Sequence, residues 1–545
     1  MQLLAPLDWA FVAAYFLLVF AVAFGAARRE GSILQTSTGY FLAGRHAGWF
    51  VIGASLFASN IGAEHIVGLA GSGAAGGMAV GQFEILASLI LLLLGWVFVP
   101  FYVKSGVYTM PEFLERRYSP GARWYLALIS IVGYVLTKIS VTIAAGGIVF
   151  ETLMGINFWT GALIVIVVTG VYTVFGGLQA VLYTDLIQMF VLVGGAVTVT
   201  VVGLNELGGW DRMVTLSDPG YFNLWKPASH PDFPWTGIVF GAPILGVWYW
   251  CTDQFIVQRV LSGRDQGHAR RGTIFGGLLK QLPLFIFVVP GIVAAGLLQT
   301  GGLTFEESDQ ALPALIGTLL PTGFRGLVVA GLLAALMSSL SSVFNSCSTL
   351  FTFDIYKKLH PRASERRLVR VGQLATVGLV ALGLLWIPLI RVISGQLFVY
   401  IQSVQAYIAP PIAAVFLVGV AWRRVNARGA MASLLFGFVV GMGRLVAELM
   451  KDDLGGWLYW FADVNFLHFA GILFVLCTAV MVGVSLSAPA PAAAQIAGLT
   501  FATAEKSEEE LEDMGSAGTA WRRRDLWASL VLLLVVAIVW LSFTS

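Results

Sequence analysis

Long apolar stretches, separated by short polar turns, recur from one end of the chain to the other. Taken at the length of roughly 20 residues that a helix needs to cross a bilayer, the pattern predicts fourteen membrane-spanning helices. They cover 9–27, 47–71, 76–103, 123–150, 157–175, 180–204, 235–261, 272–299, 322–356, 367–390, 396–421, 428–450, 464–486 and 525–543. The first run is too long for a signal-peptide core and has no basic residue before it, so it reads as a retained helix. The expected class is an all-α polytopic membrane protein.

Charge sets the orientation. Most of the 32 basic residues fall in alternate connections: Arg28, Arg29 and Arg45; Lys104, Arg116, Arg117 and Arg123; Arg259, Arg264, Arg270 and Arg271; the group from Lys357 to Arg370; Arg423, Arg424 and Arg428; and Lys506 with Arg522, Arg523 and Arg524. Basic loops stay on the cytoplasmic side, so both termini are expected outside, and a thirteen-helix count would put the pattern out of phase. The opposite loops carry acids, among them Asp211, Asp218, Asp232, Glu306, Asp452 and Asp453. The connection at 205–234 is the longest outer loop, and 488–524 reads as a polar cytoplasmic spacer containing Glu508, Glu509 and Glu510.

Composition agrees with this class and narrows the functions. Of 545 residues 11% are charged, against about 25% in soluble domains, 58% are hydrophobic, and the net charge of +2 gives no electrostatic case for nucleic acid. The 62 glycines suit close helix packing in a membrane. Cys251, Cys347 and Cys477 have no paired spacing, so neither a disulfide framework nor a zinc site is indicated. The six histidines are scattered without an HExxH pattern, which leaves an enzyme without a metal motif. A sensor would need a cytoplasmic signalling domain for which there is no room.

Chemistry concentrates where polar residues interrupt the apolar runs. Ser59, Asn60, Glu64 and His65 interrupt the second span, and the WYWCTDQ stretch from Trp248 to Gln254 interrupts the seventh. Irregular backbone at membrane depth is tolerated only where it is buried in protein or lines a cavity, and paired broken helices point to a transporter site. Ionisable residues inside spans need a partner or a purpose. Glu84 and Lys280 suit hydroxyl recognition or a structural ion pair, Lys138 is expected to snorkel or to pair with Asp185, and Arg444 with Glu448 four residues on suggests an internal pair. The run Ser338, Ser339, Leu340, Ser341, Ser342 carries more hydroxyls than back-bonding to a helix requires. With carbonyls near Ala58 and Ile61, Ser338 and Ser339 suit a hard cation; Asp185 with Ser341 and Ser342 suits a second.

At these residues the chain resembles the sodium/solute symporter family, in its sodium/glucose cotransporter branch. The resemblance runs from about residue 40 to 442 and rests on YFLAGR (40–45), ASNIGAEH (58–65), FGGLQAVLYTDLIQ (175–188), WYWCTDQFIVQR (248–259), SSLSSVFNSCSTLFTFDIYK (338–357) and YIQSVQAYIAPPIAAVFLVG (400–419). It implies a LeuT-type fold of two inverted five-helix repeats, within 46–204 and 235–422. An extra N-terminal helix (1–45), two accessory helices (423–487) and a C-terminal helix (525–545) would flank them. It also implies sugar contacts from Asn60, His65, Glu84, Trp250, Lys280 and Gln402, an inner gate at Tyr249, and an outer cover of Leu69, Phe83 and Phe398. A first sodium ion would be held by the carbonyls of Ala58, Ile61 and Ala335 with the hydroxyls of Ser338 and Ser339; members that move two ions resemble this chain at Asp185, Ser341 and Ser342. Ala87 and Gly246 stand where some bacterial galactose carriers have Ser and Asn, and His65 is closer to the animal glucose carriers. The expected activity is sodium-coupled symport of glucose or a related hexose in a plasma (inner) membrane. The alternative is another small polar solute such as myo-inositol, an amino acid or a carboxylate.

Overall fold

The computed structural model describes residues 4–29, 36–390, 397–503 and 516–544. Among these residues the chain is nearly all-helical, with two isolated bridges, Ala47 to Gly263 and Lys226 to Pro234, as its extended pairings. Among the described residues ten helices are long and apolar enough to cross a membrane. Of the other expected spans, 47–71 and 235–261 are broken at their polar residues, 157–175 is the part of helix Phe158–Leu207 before the Gly177 kink, and 367–390 lies within helix Glu365–Ile390. The protein is a multi-pass membrane protein.

Helix Phe324–Leu350 runs through the middle with nearly all of its residues buried, flanked by Phe158–Leu207. The latter is two helices meeting at Gly177, where φ is +53°. A Cβ there would lie 2.5 Å from the Tyr40 carbonyl oxygen, so glycine provides both the left-handed backbone and the close approach. Lipid tails are as apolar as leucine, so packing contacts and buried polar bonds, rather than expulsion of water, hold such helices together. Asp8 shows one such bond set. Its Oδ1 accepts from the Gly323 and Gly326 amides at 2.6 and 2.9 Å, fastening helix Pro6–Arg29 to the start of Phe324–Leu350.

The C-terminal helix Ser516–Ser542 is docked by Asp525, which pairs with Arg270 at 2.8 Å and Arg271 at 3.3 Å. The 488–524 segment is not a free spacer over its first part. Gln495 donates to the Tyr118 carbonyl at 2.6 Å, the Phe501 amide to Val420 at 2.9 Å, and Ile496 and Leu499 are buried. The apolar side chains of this stretch find the body of the protein. Lys506 and the Glu508, Glu509 and Glu510 run lie outside the described residues. Arg444 and Glu448 also part company: Arg444 donates to the Val464 carbonyl at 3.0 Å, and Glu448 accepts from the Tyr407 hydroxyl. Facing helices offered each a nearer partner than its i,i+4 neighbour.

Candidate solute and cation site

Both expected breaks are present. Helix Trp49–Asn60 stops, Ile61 (ψ 82°) and Gly62 (ψ −178°) leave the helical region, and Ala63–Gly76 resumes. In the seventh span a π-helical turn, Val247–Thr252, gives way to extended Asp253 (ψ 128°), whose carboxylate accepts from the Phe255 amide at 3.1 Å and caps Gln254–Leu261. A wide π turn re-aims its side chains; here it carries Tyr249 and Trp250.

A polar cage joins the two breaks. Buried Lys280 is ion-paired to Glu84 and donates to Asn60 Oδ1. Asn60 Nδ2 donates to the Tyr249 hydroxyl at 2.9 Å, and His65 Nε2 lies 3.7 Å from Glu84 Oε1. Helix ends support these charges: Glu84 lies in the first turn of Gln82–Leu93, and Lys280 follows the last turn of Gln266–Leu279, the favourable sign at each end of a helix dipole. The Lys280 ammonium also stands 5.4 Å from the Trp250 ring centre. Removing one partner of a buried pair leaves an uncompensated charge, so the pair holds its members in place more than it stabilises the fold.

The cage faces a small, partly open cavity of about 70 Å³. Of the expected residues, Asn60, His65, Phe83, Glu84, Tyr249, Trp250, Phe398 and Gln402 line it. Lys280 stands behind Glu84 and Asn60, and Leu69 is buried away from the lining. Phe398 meets Phe83 edge-on at 5.7 Å and His65 at 5.9 Å, and Phe233 of the long loop meets Phe83 at 6.0 Å. Leu86, Ala87, Leu245 and Gly246 add apolar lining. Two polar lining residues were not foreseen as contacts, Lys138 and Gln405. Gln405 carried a readable signal: it follows Gln402 by three, one face of one helix.

Lys138 does not reach Asp185. It lies 3.9 Å from Asp253 Oδ2 and over the rings of Phe255 (3.6 Å) and Tyr249 (4.1 Å). The π turn Val135–Ile139 turns it toward the second break, where a carboxylate and two aromatic faces wait.

The serine run forms two clusters. In the first, Ser338 Oγ donates to the Ala58 carbonyl at 2.9 Å and to the Ala335 carbonyl at 3.0 Å, and Ser339 Oγ to the Ser59 carbonyl at 3.1 Å. Four of the five expected ligand residues meet there, and the cluster is made wholly of neutral oxygens. In the second, Asp185 Oδ2 accepts from Ser55 and Ser59 at 2.5 and 2.8 Å, and Arg259 lies 3.8 Å away. Arg259 also donates to Ser55 and Ser59 at 3.0 and 2.8 Å and to Ser342. Ser341 turns its hydroxyl back to the Ser338 carbonyl at 3.0 Å. Arg259 was read only as an orienting charge at the end of its span; the fold buries it to 1% exposure.

Known proteins resemble this chain. The sodium:solute symporter family matches residues 40–437. A sodium/glucose cotransporter 4 of Danio rerio is 40% identical, over 93% of this chain and 83% of its own. A sodium/myo-inositol cotransporter of Canis lupus familiaris is 40% identical over 91% and 75%, and a sodium/mannose cotransporter of Bos taurus 41% over 96% and 94%. Among solved structures, a sodium-coupled sialic acid symporter in a substrate-bound outward-open state superposes with a TM-score of 0.77 at 22% identity, covering 89% of this chain and 99% of that one; the likeness is one of fold. The motifs, the paired breaks and these relatives agree, and the chain belongs to the sodium:solute symporter family.

Proposed function

We propose that this protein is a sodium-coupled sugar symporter for glucose or a related hexose, working by alternating access. The observation that carries the reading is the cage of Asn60, Glu84, Tyr249 and Lys280, which joins the two broken helices beside the cavity. Its donors and acceptors alternate, as a ring of hydroxyls requires, and the Trp250 and Tyr249 rings offer faces for the sugar's C–H side. In this reading Asn60, His65, Glu84, Trp250 and Gln402 touch the sugar, Lys280 holds Glu84 and Asn60, Tyr249 closes the inside, and Phe83, Phe398 and Leu69 cover the outside.

Sodium at the carbonyls of Ala58, Ile61 and Ala335 with Ser338 and Ser339 ties the first break to helix Phe324–Leu350. A ligand shifts a two-state equilibrium only by its differential affinity; an ion bridging these helices favours the state in which they are close. Asp185, Ser341 and Ser342 are the candidate second sodium site, open to an ion only when Arg259 leaves the cluster. The finer architecture proposed with this function is fourteen spans, two inverted five-helix repeats formed by spans two to six and seven to eleven, a plasma-membrane location and both termini outside.

Lys280 is neutralised by Glu84, which disfavours a carboxylate or amino acid needing a free cation. Myo-inositol, a ring of hydroxyls, is the second reading, supported by the 40% identity to a sodium/myo-inositol cotransporter. The test is uptake by proteoliposomes under an imposed sodium gradient, with labelled glucose, mannose and myo-inositol compared. One ion moved down 100 mV and a tenfold gradient releases about 3.7 kcal/mol, supporting about 500-fold accumulation. No sodium-dependent accumulation of any of the three overturns the proposal.

A further inference from the structure

We propose that a phospholipid acyl chain occupies a groove on the outside of the solute-binding helix. The groove holds about 810 Å³ and lies between the 235–247 segment and helix Phe466–Leu486. Its walls are apolar almost throughout: Val239, Phe240, Pro243 and Ile244 on one side, Ile472 and Val475 on the other. Phe240 is 66% exposed and Val475 64%, so the groove is continuous with the face that a bilayer covers. In hydrocarbon such a space is filled by hydrocarbon, because water gains no partner there.

Two further observations select a lipid with a polar head. The groove's polar side chains sit at one end, where Thr236 Oγ1 and His468 Nε2 are 2.7 Å apart. Half-exposed Trp235 stands at that same end, and tryptophan gathers at headgroup depth. From Thr236 to Val247 the helical wall is about 16 Å long, close to half of a hydrocarbon core of about 30 Å. The depth therefore matches one leaflet, with the ester groups at Thr236 and His468. The wall continues directly into the π turn that carries Tyr249 and Trp250, so the chain lies against the back of the cavity's own helix.

Two substitutions test the groove by filling it. A Cβ at Gly471 would meet the Phe240 carbonyl oxygen at 3.5 Å, an ordinary contact, so Gly471→Leu places an apolar side chain toward the acyl position; Val475→Trp fills the groove from its exposed side. The protein is reconstituted in phosphatidylcholine vesicles containing phosphatidylcholine with a diazirine near the acyl terminus, illuminated, and mapped by peptide mass spectrometry. Adducts on 239–247 and 471–476 are expected about tenfold above those on the exposed face of the C-terminal helix, a site preference of one decade. Either filling variant is expected to lower them to that background without changing the C-terminal adducts. Should Gly471→Leu fail to fold, Val475→Trp gives the same reading. Adducts spread evenly over all exposed faces, or unchanged by the folded filling variant, overturn the proposal. Copy-to-copy links at this face in place of lipid adducts overturn it as well, by showing that a second chain covers the groove.

Discussion

The two serine clusters lie on the same helix, three residues apart, and face the same broken segment, yet they differ in where their positive charge comes from. Around Ser338 and Ser339 every group is a neutral oxygen, and the bonds present are hydroxyl to carbonyl. Around Asp185 and Ser342 the protein supplies its own cation, Arg259, which donates to Ser55, Ser59 and Ser342. A neutral cluster gains from any hard cation that enters. A cluster that already contains a guanidinium must move it before a second cation can enter. Similar sequence on one helix thus yields two different electrostatic situations.

The strongest way to break that contrast is to remove the internal cation. Arg259→Ala leaves Asp185 buried without compensation, and stability is expected to fall by about 3–5 kcal/mol. A thermal unfolding series checks this, with Arg259→Met/Asp185→Asn recovering much of the loss. The single variant is also expected to be stabilised by sodium more than the parent protein is, the ion taking the vacated place. With Arg259 in place, a reversal-potential measurement is expected to give one charge per solute; two charges would mean that Arg259 yields its position during the cycle.

Next in size is the pair Ser338→Ala and Ser341→Ala. A hydrogen-bonding oxygen on a charged partner is worth about 1.5–3 kcal/mol, so Ser338→Ala should raise the sodium concentration for half-maximal uptake at least about tenfold. Ser341 bonds back to its own helix and its loss should change that value little. Equal effects of the two variants in sodium titrations would erase the distinction between the clusters.

Gln402→Ala sharpens the separation of solute from ion. An uncharged hydrogen bond is worth about 0.5–1.5 kcal/mol. The expected result is a several-fold weaker sugar half-saturation with the sodium dependence unchanged; parallel losses in both would place Gln402 in the cation machinery.

The smallest effect belongs to the lid, away from both clusters. His230 Nδ1 accepts from the Asp232 amide at 3.2 Å and the Phe233 amide at 3.0 Å, and Phe233 packs on Phe83 over the cavity. Burial pushes this imidazole below its usual range, aided by Lys226 and opposed by Asp232. The unfolded chain therefore takes up the proton first. The contribution of His230 is complete above its ordinary value of about 6.5 and is lost as pH falls through the lower folded value. Thermal stability should decline on acidification through that window, and His230→Asn, which keeps an acceptor without a titrating group, should flatten the decline. Identical pH curves for both proteins would remove His230 from the lid.

Much of this protein follows from one-dimensional pattern. Membrane helices announce themselves by length and hydropathy because each satisfies its own backbone bonds. The breaks at 59–65 and 248–254 were legible because polar side chains inside an apolar run have few places to go. The cavity's members were legible for the same reason, with the family resemblance placing Gln402 and Phe398. Partnership was not legible. Lys138 chose Asp253 over Asp185, Arg259 became the cation of a buried cluster, and Glu448 turned to Tyr407, because each charge settles with whatever partner the helix packing brings within a few ångströms. Sequence spacing fixes neighbours along one helix; which helix faces which, and so which charge finds which, is decided only when the bundle closes.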